Sequence, residues 1–410
     1  MKIGLMAVMC FILLGGLGGD CSAGKDFDAR LRAIVKPYRF SIVGWEVQTI
    51  FGGAGRLGQN EETGDEVSQV NQFFTVVARI KTLESEIAAI KAGTQPGDLA
   101  LLETELGNSQ LQKMALAETT EKIIEKQVRE ILNQQDIFNP IDKYLKIKVG
   151  FPPMNFKLEN PPNLLVLSPR ERIASIREIA LLPGISLEEM ENLETEADKL
   201  GVSSLVVELG GFGGTYPSFV TNKADLSFTV NTATEEWLHQ YLTFKPLGFR
   251  YLLDLIGIFR NYEIATMNET VAGMVSKEIG TIIYETYYSQ SEELVNTGRQ
   301  AHTTASSFDF NREMRNIRRV VDRYLVRGEI EAAEEFMEQK RQYLATKRYH
   351  IRKLNQAYFA FHGAYADSPT SISPIGIELK KLRDQSASLK DFLETAATMT
   401  NRQDLILSIK

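Results

Sequence analysis

The residues best suited to do chemistry lie in one short segment, Thr234-Glu235-Glu236-Trp237-Leu238-His239. On an α-helix, residues four apart lie on the same face, so the Glu235 carboxylate and the His239 imidazole point the same way. Glu236 lies about 100° further around the axis, within reach of a ligand held by the other two. Carboxylates and imidazoles are both zinc ligands. The spacing therefore predicts a metal site on this helix.

A third metal ligand must come from elsewhere in the chain. The Glu235 segment has the spacing of the HExxH zinc-peptidase helix, with Glu235 in place of the first histidine and Glu236 as the residue that activates water. After an interval of 29 residues, Asn268-Glu269-Thr270-Val271-Ala272 opens a second amphipathic segment. Its apolar residues can face a core while Glu269 looks back at His239. These two segments resemble those of gluzincin metallopeptidases, in which the third ligand is a glutamate on a downstream helix, and the resemblance implies that Glu235, His239 and Glu269 hold the metal.

Two separate parts of the chain resemble a known family. Residues 234–241 (TEEWLHQY) together with 268–272 (NETVA) resemble the paired helices of gluzincin metallopeptidases. Residues 353–358 (KLNQAY), followed by Tyr365, are similar to a late segment of a family of predicted bacterial aminopeptidases with a gluzincin motif. The resemblance spans about residues 200–370. It implies a zinc ion, peptide-bond hydrolysis and a helical domain beside the substrate.

Glu235 departs from the family pattern and leaves two hypotheses open. The extra negative charge should lower the Lewis acidity of a bound Zn²⁺, and a carboxylate-rich site also accepts Fe²⁺ or Mn²⁺. In the first hypothesis the protein is a metal-dependent hydrolase, a peptidase in which Glu236 takes a proton from water and passes it to the leaving amine. In the second it is a catalytically inactive metallopeptidase-like envelope protein with a binding or scaffolding role. The presence of Glu236 favours the first hypothesis, and the missing histidine favours the second.

Peptide hydrolysis also needs a hydrogen-bond donor for the developing oxyanion. We assign this role to Tyr365, which lies in the late segment, with Tyr284, Tyr287 and Tyr288 as competitors. The strand predicted from Ser204 to Gly211 could pair with an extended peptide or protein substrate.

The other histidines have simpler interpretations. His302 and His350 lie in polar or basic stretches and are expected at the surface, whereas His362 lies between aromatic residues and is expected in a core. A di-iron helical bundle needs two Glu-x-x-His segments, and Glu236 to His239 is the only one in the sequence. The sequence therefore favours a single metal ion.

The first residues are typical of an export signal. Lys2 precedes the apolar run Ile3 to Leu17, and Cys21-Ser22-Ala23 ends in a small-residue cleavage pattern, so we expect a signal peptide at 1–23 and an extracytoplasmic location. The same segment, if retained, would associate the protein with a membrane; Asp20 argues against lipidation of Cys21. Both cysteines, Cys10 and Cys21, lie in this segment, so the mature protein would have no disulfide or thiolate zinc site.

The remaining patterns predict a mainly α fold with a small β-sheet, of the α+β class. The region 24–150 is expected to be helical and to contain a hairpin of two long helices, 65–92 and 98–135, joined by a turn at 93–97. The region 151–300 is expected to hold the metallopeptidase-like core, with strands at 163–168 and 204–208, a capped helix from Ser186 to near Gly201, and a loop or bulge at 210–214 (GGFGG).

The region 301–410 is expected to be helical, with long helices at 310–326 and 329–366. The net charge of -7 and the lack of an aromatic-plus-basic motif argue against nucleic acid as a partner. No pattern in the sequence sets an oligomeric state.

Overall fold

The computed structural model describes residues 22–40, 66–140, 150–255, 258–259, 261–289, 308–366 and 368–409. The predicted signal segment up to Cys21, including Cys10, lies outside the described residues, and so does His302. Within them the fold is mainly α-helical with a small β component, as predicted. The β component consists of two three-stranded sheets rather than one.

The helices that precede the site helices are α1 (Ser22–Val35), α2 (Glu66–Lys91), α3 (Leu99–Gln134) and α4 (Leu187–Asp198). The site helices and the helices after them are α5 (Leu226–Leu242), α6 (Pro246–Leu255), α7 (Tyr262–Ile283), α8 (Phe310–Val326), α9 (Ile330–Thr346), α10 (Gln356–His362), α11 (Ile375–Gln385), α12 (Leu389–Ala397) and α13 (Arg402–Ser408). A π-helical turn, Tyr284–Tyr288, extends α7. No helix in these ranges is long and apolar enough to cross a bilayer.

The strands are β1 (Phe156–Leu158), β2 (Asn163–Pro169), β3 (Arg177–Leu181), β4 (Val202–Glu208), β5 (Gly211–Phe212) and β6 (Ser218–Val220). One sheet has the order β3-β2-β4 and is antiparallel throughout. The other has the order β1-β6-β5, in which β1 and β6 are parallel and β5 is an antiparallel edge strand.

Most sequence-predicted elements are confirmed to within one or two residues. The α2–α3 hairpin and the β2 strand lie where expected, and the Ser186 capping box opens α4 with both of its hydrogen bonds. The α4 helix ends at Asp198, a turn before Gly201, whose φ of 82° suits glycine. The GGFGG segment contains the two-residue strand β5 within its loop.

The single long helix predicted over 329–366 is wrong. The chain leaves the helical conformation after Thr346, passes through Arg348 at φ 69°, and starts a new helix, α10, at Gln356. We attribute the break to tertiary contacts. The side chains of Arg352 and Asn355 donate hydrogen bonds to carbonyl groups at the edge of β4, and the non-helical segment places them there.

The largest apolar core unites parts of the chain that are far apart in sequence. It combines Phe73 and Ile124 of the hairpin with Trp237 of α5, Val271 of α7 and Phe392 of α12. Trp237 also donates a hydrogen bond of 2.7 Å to the carbonyl of Pro152. The site helices α5 and α7 are therefore held in the centre of a rigid core, which fixes their relative positions.

Candidate metal centre

The helices α5 and α7 approach each other closely along a face that carries two glycines. A Cβ atom added at Gly280 would overlap Oδ1 of Asn231, and one added at Gly273 would lie 3.7 Å from Oε1 of Glu235. The missing side chain at Gly280 lets the two helices approach closely, and the carboxylate of Glu235, on α5, lies within ordinary contact distance of the middle of α7. The two helices thereby bring together side chains that are 30 residues apart.

The three expected ligands converge. One ligand atom from each of Glu235, His239 and Glu269 lies within 4.8 Å of those from the other two. Nε2 of His239 is 3.6 Å from Oε2 of Glu269. Glu269 is buried, and Glu235 and His239 are partly buried. Three donors at this separation can close on one cation with small rotations of their side chains.

Asn268 is placed to orient the imidazole of His239. Its side-chain nitrogen lies 3.0 Å from Nδ1 of His239, and its buried Oδ1 has no hydrogen-bond partner among the described residues. Turning the amide over would let Nδ1–H of His239 donate to Oδ1, with the amide nitrogen in the buried position. That arrangement leaves the lone pair of Nε2 directed towards Glu269, as a metal-binding histidine requires.

Glu236 lies beside the three ligands and against the glycine-rich strand β5. A Cβ atom at Gly211 would overlap Oε1 of Glu236, and one at Gly213 would lie 2.6 Å from Oε2. The backbone N–H of Gly213 donates a hydrogen bond to the Glu236 carboxylate. Gln240 fixes this loop by donating from Nε2 to the carbonyl of Thr215 at 3.0 Å. The glycines therefore allow the backbone to form one wall of the site.

The electrostatic surroundings of Glu236 favour its protonated form. Burial raises the pKa of Glu236 well above its usual value, and the negative charges of Glu235 and Glu269 raise it further. The hydrogen bond from Gly213 opposes this effect. A carboxyl group whose pKa is raised in this way is a stronger base than an exposed glutamate and holds a proton more readily.

Two tyrosine hydroxyls enter the same site. Tyr365 and Tyr251 each form a side-chain hydrogen bond with Glu269. The charge of Glu269 and burial raise the pKa of Tyr365 well above its usual value, and burial followed by the charge of Glu269 does the same for Tyr251. Both phenols thus stay protonated at neutral pH and can act as hydrogen-bond donors.

Tyr365 reaches the site because both of its flanks are anchored. On its C-terminal side, the N–H of Ala366 donates to Oγ1 of Thr270, the neighbour of Glu269. On its N-terminal side, helix α10 begins at Gln356, and the side chain of the preceding Asn355 caps the N–H of Tyr358 at 2.9 Å. Asn355 also donates to the carbonyl of Ser204 in β4 at 2.8 Å. The late segment therefore connects the edge of a sheet to the site.

The same contacts contradict part of the expected pairing of substrate with the strand from Ser204 to Gly211, namely at Ser204 and Val206. The N–H groups of these residues donate to Asp198 and Glu194, at 2.9 and 2.6 Å. Their carbonyls accept from Asn355 and Arg352. The outer edge of β4 is thus already hydrogen-bonded at both positions. Strand β5, at Gly211, remains an edge strand with a neighbour on one side only.

The competing tyrosines belong to the π-helical turn that follows α7, where the ring centroids of Tyr284 and Tyr288 are 6.1 Å apart. Tyr287 donates to Glu130 at 2.6 Å and Tyr288 donates to Gln127 at 2.7 Å, so both connect α7 to the hairpin helix α3. The two other described histidines also lie apart from the three ligands. His350 is exposed, and burial beside Tyr358 lowers the pKa of His362 to about 4.

Sequence reasoning missed Tyr251, Gly211 and Gly213. Tyr251 lies on α6, and its ring centroid is 6.1 Å from that of His239. No local pattern marks this tyrosine among the 14 in the chain. The GGFGG run was a visible signal, because repeated glycines indicate a close approach of the backbone to another group. What it approaches, the Glu236 carboxylate, is visible only in the folded chain.

The charge of the site fits a divalent cation. Among the described residues, no lysine or arginine forms an ion pair with Glu236 or Glu269, although Glu269 is buried. Burying a carboxylate without a counter-charge is costly, and a bound cation would remove that cost. The donor set of two carboxylates and one imidazole is one that Zn²⁺, Fe²⁺ or Mn²⁺ accepts.

Scans against protein-family models, curated proteins and solved structures each gave no match for this chain. The function of the site is therefore inferred from the geometry of its own residues.

Proposed function

We propose that this protein is a metal-dependent hydrolase that cleaves peptide bonds, with Zn²⁺ as the preferred ion and Fe²⁺ or Mn²⁺ as substitutes. The convergence of the Glu235, His239 and Glu269 ligand atoms within 4.8 Å carries the proposal. A cation held there would polarise a substrate carbonyl as a Lewis acid. The resemblance of the two segments to gluzincin metallopeptidases supports the same reaction class.

The chain's own residues supply the remaining chemistry. Glu236 would take a proton from the attacking water and return it to the leaving amine, since its pKa is raised by burial and by two neighbouring carboxylates. Tyr365 and Tyr251 would donate hydrogen bonds to the oxygen that gains negative charge. An extended substrate would lie along β5, whose glycines bring the backbone next to Glu236.

An exported location belongs to this proposal and rests on the N-terminal sequence pattern alone. A peptidase outside the cytoplasm would meet peptides and unfolded proteins as substrates, which agrees with a site that has an edge strand beside it.

The test combines metal analysis with activity. Purified protein should contain about one equivalent of metal, and His239→Ala should lose it. Glu236→Gln should retain the metal and lose cleavage of a mixed peptide library followed by mass spectrometry. The matched control is His350→Ala, which removes an exposed histidine and should retain both properties.

Two outcomes would contradict the proposal. Protein without metal after reconstitution would exclude the site. Protein that binds metal through His239 but cleaves no peptide would instead support the second function, a metallopeptidase-like envelope protein that binds or scaffolds. The additional negative charge of Glu235 is the observation that favours this alternative.

A further inference from the structure

Helix α8 carries a row of arginines on the side opposite its buried face. Its buried residues are Met314, Ile317, Arg318, Val321 and Leu325. At 100° per residue, three of the remaining arginines lie about 140° to 180° from the centre of that set, and the fourth, Arg315, lies about 100° from it and is partly buried. The four are Arg312, Arg315, Arg319 and Arg323, which we call the arginine face.

The positive charge of the arginine face is not neutralised by the described part of the chain. None of its four guanidinium groups forms an ion pair or a side-chain hydrogen bond with a described residue. The nearby acidic side chains have other partners: Glu313 binds Lys340 at 2.8 Å and Asp322 binds the buried Arg318 at 2.9 Å. Four arginines without an ion-pair partner among the described residues are unusual in a chain whose net charge is -7.

A loop with two further exposed cations, Lys347 and Arg348, packs beside the first turn of α8. Tyr349 of this loop stacks on Phe310 with ring centroids 4.4 Å apart. Phe310 lies on the buried side of α8, so the two loop cations do not belong to the arginine face, which has four members.

The geometry of the arginine face fits a flat layer of phosphates. Eleven residues of helix separate its first and last arginines by about 16 Å, in a straight line. A guanidinium group binds a phosphate through two parallel hydrogen bonds. Rows of four to eight basic residues on an amphipathic helix are typical of binding to anionic lipid headgroups.

Other features favour a lipid surface over nucleic acid. The aromatic residues of α8, Phe310 and Tyr324, are partly buried against Tyr349 and Phe336, so the arginine face offers no exposed ring for stacking with bases. Val326, 87% exposed, projects at the end of the row on the same side. The apolar N-terminal run Ile3 to Leu17, if retained, would bring the chain to a membrane. We propose that the arginine face docks on an anionic phospholipid surface by binding headgroup phosphates.

The experiment measures binding of the full chain to vesicles by co-sedimentation. Vesicles of phosphatidylcholine alone report any contribution of the N-terminal segment, and vesicles that also contain phosphatidylglycerol add the electrostatic contribution. We expect stronger binding to the anionic vesicles, and loss of that preference at high salt. The triple variant Arg315→Gln, Arg319→Gln, Arg323→Gln should weaken binding to anionic vesicles about tenfold or more and leave binding to neutral vesicles unchanged.

The matched control removes the same charge from other surfaces. Lys122→Gln, Arg172→Gln, Lys380→Gln alters three exposed cations outside α8, with 65%, 62% and 72% of each side chain exposed. Its preference for anionic vesicles should persist. Circular dichroism checks that both triple variants retain their helices, as expected because the guanidinium groups of the row form no ion pair with the described part of the chain.

Three results would overturn the proposal. The first is equal binding to both kinds of vesicle, and the second is an equal loss in the two triple variants, which would indicate a general charge effect. The third is a variant that keeps its preference for anionic vesicles but loses binding to a labelled single-stranded oligonucleotide, which would assign the arginine face to nucleic acid.

Discussion

At the scale of single residues, the carboxylates of the candidate centre differ from a buried carboxylate elsewhere in the fold in the partners that they have. Glu269 receives hydrogen bonds from two tyrosines, Glu236 receives one from a backbone N–H, and neither has a lysine or arginine partner among the described residues. Elsewhere in the fold, a buried carboxylate has a cationic partner: Glu194 binds Arg352 through two hydrogen bonds of 2.5 and 3.0 Å. The contrast distinguishes a structural ion pair from a site suited to a bound cation.

Glu125, on α3, allows a prediction about pH. Its carboxylate accepts the N–H of Phe156 at 2.9 Å, and burial raises its pKa to about 7. A carboxyl group with a raised pKa holds its proton longer in the folded chain than in the unfolded chain. The folded protein therefore binds more protons between about pH 4.5 and pH 7, and its free energy of unfolding should fall across that interval.

Glu125→Gln should remove this pH-dependent loss, because glutamine keeps an oxygen for Phe156 and carries no charge. Urea unfolding at pH 8 should show the variant to be more stable than the wild type by about 2 to 3 kcal/mol, with little difference at pH 4.5. Glu118→Gln on the exposed side of the same helix is the control and should show no such pH dependence. An equal difference at both pH values would contradict the prediction.

At the scale of elements, the site depends on how closely helices can pack at glycines. Helix α6 carries Tyr251 into the site, and its first turn rests on the end of α5. A Cβ atom at Gly248 would overlap the backbone of Leu242 and Thr243, so the contact is possible only without a side chain. Because the overlapping atoms belong to the backbone, no rotation of a neighbouring side chain can relieve the overlap.

Two glycine-to-alanine changes should therefore have opposite effects on stability. Gly248→Ala should lower the free energy of unfolding by about 2 kcal/mol or more, because it overpacks the α5–α6 contact. Gly107→Ala lies within α3, where an added Cβ has no atom within 4 Å, and should raise it by about 0.5 to 1 kcal/mol through helix propensity. Urea unfolding curves measure both. Destabilisation by Gly107→Ala, or none by Gly248→Ala, would be inconsistent with the packing described.

At the scale of the whole molecule, one core supports the hairpin, the site helices and the C-terminal helices. Phe392 of α12 is fully buried in the same cluster as Phe73 of the hairpin and Val271 of α7. Phe392→Ala should lower the free energy of unfolding by about 3 to 5 kcal/mol, since it leaves a cavity in a packed interior. Ile377→Ala, at a side chain that is 78% exposed on the neighbouring helix α11, is the control and should change stability by less than about 0.5 kcal/mol.

The same variant tests whether these regions unfold together. If the core is shared, far-ultraviolet circular dichroism and tryptophan fluorescence should report one common transition in Phe392→Ala, measured in a Trp45→Phe background that leaves Trp237 as the single tryptophan. Loss of the C-terminal helices before the signal from Trp237 would show that α11–α13 form a separate unit.

The sequence by itself determined the elements whose causes are local. The helical hairpin, the capped helix at Ser186 and the buried strand β2 follow from periodicity and capping, which act within a few residues. The Glu235–His239 pair was predictable for the same reason, because helical spacing alone puts the two side chains on one face. The position of Glu269 opposite them was predicted less directly, from the motif at 268–272 and its distance along the chain from His239.

The tertiary structure decided everything that depends on contacts between distant segments. It ended the helix predicted over 329–366, because Arg352 and Asn355 bind the edge of β4, and it selected Tyr365 and Tyr251 over the tyrosines at 284, 287 and 288. It also assigned the GGFGG run to the wall beside Glu236. The physical reason is the same in each case: burial, close packing and charge act through space, and local sequence does not encode which residues will meet.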